Sequence, residues 1–229
     1  MRTIEISKKL GINNATVNRI LITLKNEFFL VQDEKTRHYR LGPSAALLGR
    51  SVKQSLKGRL TSMSKPFVDM LRDKVKETVH LEVLQHNRIY LSYSAKADRQ
   101  LTVTPSVGDR MAINANAGAK AIMAFSSEKI VNHQLSGTLP IFTKETITDP
   151  EKIRNEYKQI RKTGFAFDRG EFDDDVSAVA APVFNHEKQP VAAVVIITPS
   201  FRMEGHIESG VLELLEDTAK EITDRLAKL

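Results

Sequence analysis

Asn13, Asn14, Thr16, Asn18 and Arg19 place amide, hydroxyl and guanidinium groups at the head of a segment that reads as a helix. Short polar side chains of this kind reach base edges in the major groove: Asn can pair with adenine in bidentate fashion, and Arg with guanine or with phosphate. A little further on, Lys25, Lys35, Arg37 and Arg40 carry the positive charge that meets a phosphate backbone. The alternative for the whole set is a helical hairpin with an ordinary solvated polar face. A second group of residues suits a different chemistry. Residues 115–119 are small, with Ala117, Gly118 and Ala119 at a predicted helix start. Free backbone N–H groups at such a start bind a carboxylate well, and small side chains let it approach. Close helix packing would use the same residues.

Other chemistries lack their residues. There is no cysteine, so disulfides, thiolate metal sites and a cysteine nucleophile are excluded together. The six histidines (38, 80, 86, 133, 186, 206) are scattered without zinc spacing. No Gly-rich loop ends in Gly-Lys-Ser/Thr, and no Gly-x-Ser-x-Gly elbow is present. Asp173, Asp174 and Asp175 with Glu171 could hold a hard cation, but they also read as a solvated acidic loop. No cofactor, metal or enzymatic activity is expected.

The elements needed to hold these groups can be read from periodicity. Ile4, Ile6 and Leu10 suggest a short helix, which Gly11 breaks, and Asn13 or Asn14 can cap the next one. Val17, Ile20, Leu21 and Leu24 give that second helix one apolar face. Residues 28–31 and 38–41 read as strands around a polar turn that carries Lys35 and Arg37. After Gly42-Pro43, the steps Leu48, Val52, Leu56 and Leu60 predict a linker helix whose apolar stripe needs a partner, here a second copy of the chain. Phe67, Met70, Leu71 and Val75 predict a further helix after Pro66. Residues 79–84 and 89–93 read as strands, 116–125 and 150–162 as helices, 179–184 and 191–198 as an apolar hairpin, and 207–229 as one long helix.

Charge divides the chain in the same place. Residues 1–60 hold twelve Lys/Arg against four Asp/Glu, a net +8, whereas the remainder holds 22 against 24, a net −2. A basic first quarter on a near-neutral body points to a polyanion-binding module. No apolar run approaches the length of a membrane span. The first residues lack the apolar stretch of a secretory signal, so a cytoplasmic location is expected.

The motifs also carry a family resemblance. Residues 11–24 (GINNATVNRILITL) followed by 39–42 (YRLG) resemble the IclR-type bacterial transcription regulators, as do 77–81 (ETVHL), 113–124 (INANAGAKAIMA), 164–171 (GFAFDRGE) and 180–183 (AAPV). The resemblance covers essentially the whole chain. It implies an α+β protein with a winged helix-turn-helix at 1–42, a linker helix at 43–62 and a GAF-like effector-binding domain with an antiparallel sheet at 63–229. Relatives carry a further helix before the helix-turn-helix, so the first helix of that domain is expected to be missing here. The family's Gly-Lys pair is Ala119-Lys120, with the glycine at Gly118, and Asp173 to Asp175 replace the usual glycine after Glu171.

The resemblance further implies a pocket for a small organic acid, with Asp168 at a polar pocket position; a lone acid there could equally cap a turn. Val195 and Ile197 stand where several relatives place serine, and Ala178 is likewise small and apolar, which favours an aromatic acid over a small keto acid. The function expected is a regulator, a repressor ahead of an activator, that binds double-stranded operator DNA as a homodimer, with a tetramer left open, under control of the bound acid. Two alternatives from other classes are an oligomeric sensing or interaction module that does not bind DNA, and an enzyme acting on small carboxylates.

Overall fold

The computed structural model describes residues 1–54, 56–97 and 105–228, with the backbone alone between 49 and 57. The chain divides into two compact units, Met1–Arg59 and Leu60–Leu229.

The first unit opens with α1 (Thr3–Leu10), which ends on Gly11 in the left-handed conformation at φ 65°. Helix α2 (Asn14–Asn26) follows, with the Asn13 side chain accepting from Ala15 N at 2.7 Å as its cap. Val17 and Leu21, one turn apart, are its buried residues. Strands β1 (Leu30–Gln32) and β2 (Tyr39–Leu41) pair antiparallel. Both are shorter than their apolar patterns predict. Phe28 takes a left-handed φ of 58° at the end of the helical region, so the first strand cannot begin there. Gly42 follows the second strand where a side chain would collide with the Phe28 carbonyl oxygen, and its N–H donates to Phe29 O at 2.8 Å. Helix α3 (Pro43–Gln54) starts immediately after.

Helix α4 (Leu56–Val75) runs through Pro66, so the two helices expected on either side of that proline are one. Proline removes a backbone N–H and crowds the preceding turn, yet the helical assignment continues through it. Leu60, Val68, Leu71 and Val75 all lie in the core of the second unit. This removes Leu60 from the expected dimer stripe of Leu48, Val52, Leu56 and Leu60. Leu60 is 5% exposed inside its own chain, while Leu48 is 56% exposed; the side chains of Val52 and Leu56 lie outside the described residues.

The second unit is built on a five-stranded sheet. Its strands are β3 (Thr78–Gln85), β4 (Arg88–Ala95), β5 (Ala166–Arg169), β6 (Val176–Phe184) and β7 (Pro190–Pro199), in the order β4-β3-β7-β6-β5, and the neighbours are antiparallel. Helices α5 (Ala117–Phe125), α6 (Glu128–Leu135) and α7 (Pro150–Thr163) contribute to the core on one face. Helix α4 with α8 (Ser200–Glu208) and α9 (Val211–Leu226) covers the other. The long C-terminal helix expected from residue 207 is thus two, broken where Gly210 adopts φ 83°. Strand alternation sorts the residues: Val79, Leu81, Val83, Val179, Ala181, Val194 and Ile196 face α4 and α9, whereas Ala178, Ala180, Ala193, Val195 and Ile197 face α5. Among the described residues no helix is long and apolar enough to cross a membrane.

Candidate functional site

In the first unit the residues singled out for nucleic-acid chemistry all lie at the surface. Asn13, Asn14, Thr16, Asn18, Arg19 and Lys25 are exposed, as are Lys35, Arg37 and Arg40 on the hairpin. Arg19 stands on the side of α2 away from Val17 and Leu21, with Asn18 on one flank and Thr16 on the other, while Asn14 lies in line with Val17 and Leu21 at the exposed start of the helix. The hairpin turn is organised by Asp33, whose Oδ1 accepts from Lys35 N at 3.1 Å and from Thr36 N at 2.7 Å. Arg37 leaves the turn at φ 59°. Those hydrogen bonds hold the Asp33 carboxyl below its usual range. The hairpin that presents Lys35 and Arg37 is therefore a formed turn rather than a slack loop.

The second unit brings the other predicted residues together beside the start of α5. Asp168, Ala178 and Ile197 form one row across β5, β6 and β7. Val195, two residues along the same strand face, lies beneath Gly118: a Cβ at Gly118 would stand 2.6 Å from Val195 Cγ2. Ala117, Gly118 and Ala119 form the first turn of α5, as expected. Its backbone is not an open anion cradle, however. Asn116 caps it, accepting from Ala119 N at 2.8 Å. A side chain at Gly118 would also collide with the carboxylate of Glu82, which reaches that turn from β3.

Glu82 is the main residue the sequence reading missed. It is fully buried, and its Oε1 accepts from Asn116 Nδ2 at 3.0 Å. Its Oε2 has no hydrogen-bond partner among the described residues. Burial pushes its carboxyl up to about 8; the Asn116 bond opposes the shift and Asp168 adds to it. Asp168 is nearly buried and does cap a turn, accepting from Glu171 N at 2.8 Å and Phe172 N at 3.4 Å. Burial raises it to about 7 in spite of those bonds and of Lys120. Lys120 is fully buried and donates to Glu156 and Glu171, each at 2.6 Å. Glu171 is thus tied to a lysine rather than grouped with Asp173 to Asp175, and burial raises its carboxyl.

His80 shares the α5-facing side of β3 with Glu82. It is buried, neither ring nitrogen has a partner among the described residues, and burial lowers it to about 4, so it is neutral. The signal for this pair was present in residues 78–85 (TVHLEVLQ). A strand covered on both faces should be apolar throughout, so polar residues two apart mark a site on one face.

A family model described as Bacterial transcriptional regulator IclR C-terminal matches residues 55–224. The chain is 26% identical over 223 residues to the transcriptional repressor IclR of Escherichia coli, covering 96% of this chain and 80% of that protein. It is 30% identical over 201 residues to the HTH-type transcriptional regulator Rv1719 of Mycobacterium tuberculosis, covering 88% and 76%. Among solved structures, an IclR transcriptional regulator of Silicibacter sp. TM1040 aligns with a TM-score of 0.83 at 28% identity, covering 99% of this chain and 89% of that one. An IclR homologue of Microbacterium hydrocarbonoxydans, crystallised with 4-hydroxybenzoate, shares the fold with a TM-score of 0.85 at 20% identity, covering 100% and 92%. The relatives are named as transcription regulators, not as enzymes.

Proposed function

Because the chain belongs to the IclR family of bacterial transcription regulators, we propose that it binds operator DNA through its first unit and a small-molecule effector through its second. The carrying observation is the agreement in one unit of a capped helix, an ordered basic hairpin and an exposed Asn/Thr/Arg set. In this reading α1 and α2 are the helix-turn-helix of residues 1–42, with α2 in the major groove. Asn13, Asn14, Thr16, Asn18 and Arg19 meet bases, β1 and β2 are the wing, and Lys25, Lys35, Arg37 and Arg40 meet phosphate. Residues 43–62 link this module to a GAF-like effector domain at 63–229.

The effector pocket is assigned to Ala117, Gly118, Ala119, Asp168, Ala178, Val195 and Ile197. The apolar wall that the last three form suits a molecule with an apolar body. A small organic acid is the effector the resemblance implies, and 4-hydroxybenzoate is the ligand in the Microbacterium homologue; in this chain the charge that meets α5 is set by Glu82. The regulator acts as a homodimer, since two-fold half-sites give a single small reading helix enough contacts. Repression is favoured because several relatives are named as repressors. Effector binding changes operator affinity by favouring one arrangement of the dimer.

The test is binding of the full chain to the intergenic DNA upstream of its own gene, across a range of salt, with and without small molecules. Specific binding that weakens steeply with salt and shifts with one compound is expected. Arg19→Ala should cost about 1–3 kcal/mol of specific affinity with the fold unchanged. Binding that is equal on unrelated DNA and untouched by Arg19→Ala would remove the DNA-reading assignment.

A further inference from the structure

We propose that the pocket beside α5 takes a small cationic ligand, an amine on an apolar body, and that Glu82 is the residue that selects it over a carboxylate. The proposal rests on reading the second unit as an effector domain.

An incoming carboxylate would seek the first turn of α5, where helix geometry presents N–H groups and a positive dipole end. Here that position is taken. The chain's own Glu82 carboxylate lies against Gly118, in space that exists only because residue 118 has no Cβ. Asn116 serves both ends of the arrangement: its Oδ1 caps Ala119 N, and its Nδ2 holds Glu82 Oε1. The other oxygen, Oε2, is buried with no partner among the described residues. Without a donor beside it, burial keeps this carboxyl protonated, and an ammonium N–H would take the place of that proton.

The surrounding charges favour the same ligand. Besides His80, which is neutral, the buried ionisable groups of this cluster among the described residues are Glu82, Asp168, Glu171 and Lys120, three acids to one base. The single base is already committed to Glu156 and Glu171. A second anion would enter a region short of positive charge; a cation would supply it. His80, neutral and without partners among the described residues on the same strand face, offers one further acceptor or donor. Ala178, Val195 and Ile197 supply the apolar wall for the rest of the molecule.

The experiment is titration calorimetry on the full chain with a matched pair of probes, benzylamine and benzoate, on wild type, Glu82→Gln and Glu82→Ala. Wild type should bind benzylamine at least about tenfold more tightly than benzoate. That affinity should rise between about pH 6.5 and about pH 8.5, because the cation replaces a proton held at Glu82. Glu82→Gln should weaken benzylamine by about tenfold or more, and Glu82→Ala should allow benzoate to bind. The pH response of wild type is read without any variant, so it stands even if a variant folds poorly.

Benzoate binding wild type as tightly as benzylamine, or benzylamine binding unaffected by Glu82→Gln, would overturn the proposal. Benzoate binding only Glu82→Ala, with benzylamine binding none of the proteins, would also overturn it while leaving the effector pocket in place. If neither probe binds any of the three proteins, the pocket assignment itself fails and the proposal with it.

Discussion

In residues 1–59 every side chain assigned to DNA is exposed, whereas in residues 60–229 the groups around α5 (His80, Glu82, Lys120, Asp168 and Glu171) are all buried. Solvated groups cost folding little. Desolvated ones have shifted ionisation and lean on one another. Substitutions in the first unit should therefore change binding and leave stability alone, while substitutions in the second should change stability first. A large stability loss from a first-unit surface change, or none from the buried cluster, would break the contrast.

Lys120→Ala should have the largest effect. It removes the one buried cation shared by Glu156 and Glu171, whose side chains are 23% and 9% exposed. Leaving those carboxylates without a partner should cost about 3–5 kcal/mol, read as a shifted denaturant midpoint. Arg19→Ala is the control, since an exposed change away from packing stays within about 0.5 kcal/mol.

Glu82→Gln sharpens the contrast through pH. The Glu82 carboxyl is raised to about 8 in the folded chain from an ordinary value near 4.5. Between those limits the folded state holds a proton that the unfolded state has released. Wild-type stability should therefore fall as pH rises through this window, by at most about 1.4 kcal/mol per pH unit. The variant should match wild type near the bottom of the window and exceed it increasingly towards the top. A smaller slope should persist in the variant, because Asp168 is raised to about 7 from 3.8 and acts with the same sign. Chemical denaturation at a series of pH values checks both slopes; parallel curves would place no uncompensated carboxylate at residue 82.

How far the sequence made all this legible follows from the same contrast. The first unit could be read almost whole. A glycine break, an Asn cap and an apolar repeat are local signals, and the basic residues are solvent-facing by default. The strand ends were misjudged by two residues where Phe28 turns left-handed and by one residue at Val31 and at His38. In the second unit four of the five strands and the α5 start were legible; β5 was not read as a strand, and Asp168, Ala178 and Ile197 were named through the resemblance without the row they form. The content of the pocket was not. Glu82 lies 36 residues before Gly118 in the sequence, and only the register of β3 against β7 sets it beneath that turn. Leu60 shows the same limit: its four-residue spacing marks an apolar face but cannot say whether that face meets a second chain or its own sheet.

Gly118→Ala tests that long-range pairing directly. The added methyl would collide with the Glu82 carboxyl and stand 2.6 Å from Val195 Cγ2, so one or both must shift. Overpacking of this kind costs about 1–3 kcal/mol. Adding Glu82→Ala should recover most of the loss, so the two changes together should destabilise less than the sum of each alone. A double-mutant cycle by thermal or denaturant unfolding gives the coupling. Additive effects would mean that the contact is not the source of the cost.

The smallest effect belongs to the wing. Lys35 and Arg37 are exposed, and the turn that presents them is held by Asp33 through the backbone N–H groups of Lys35 and Thr36, not through either charged side chain. Lys35→Ala should therefore keep the hairpin and remove only a phosphate contact. Operator affinity should drop by a similar factor on specific and nonspecific DNA, and the slope of log affinity against log salt should become shallower by about 1. Fluorescence anisotropy at several salt concentrations reads both. An unchanged slope would move the phosphate contact off the hairpin, and a loss confined to one sequence would make Lys35 a base reader. Either result would redraw the division of labour between α2 and the wing while leaving the buried cluster of the second unit as it stands.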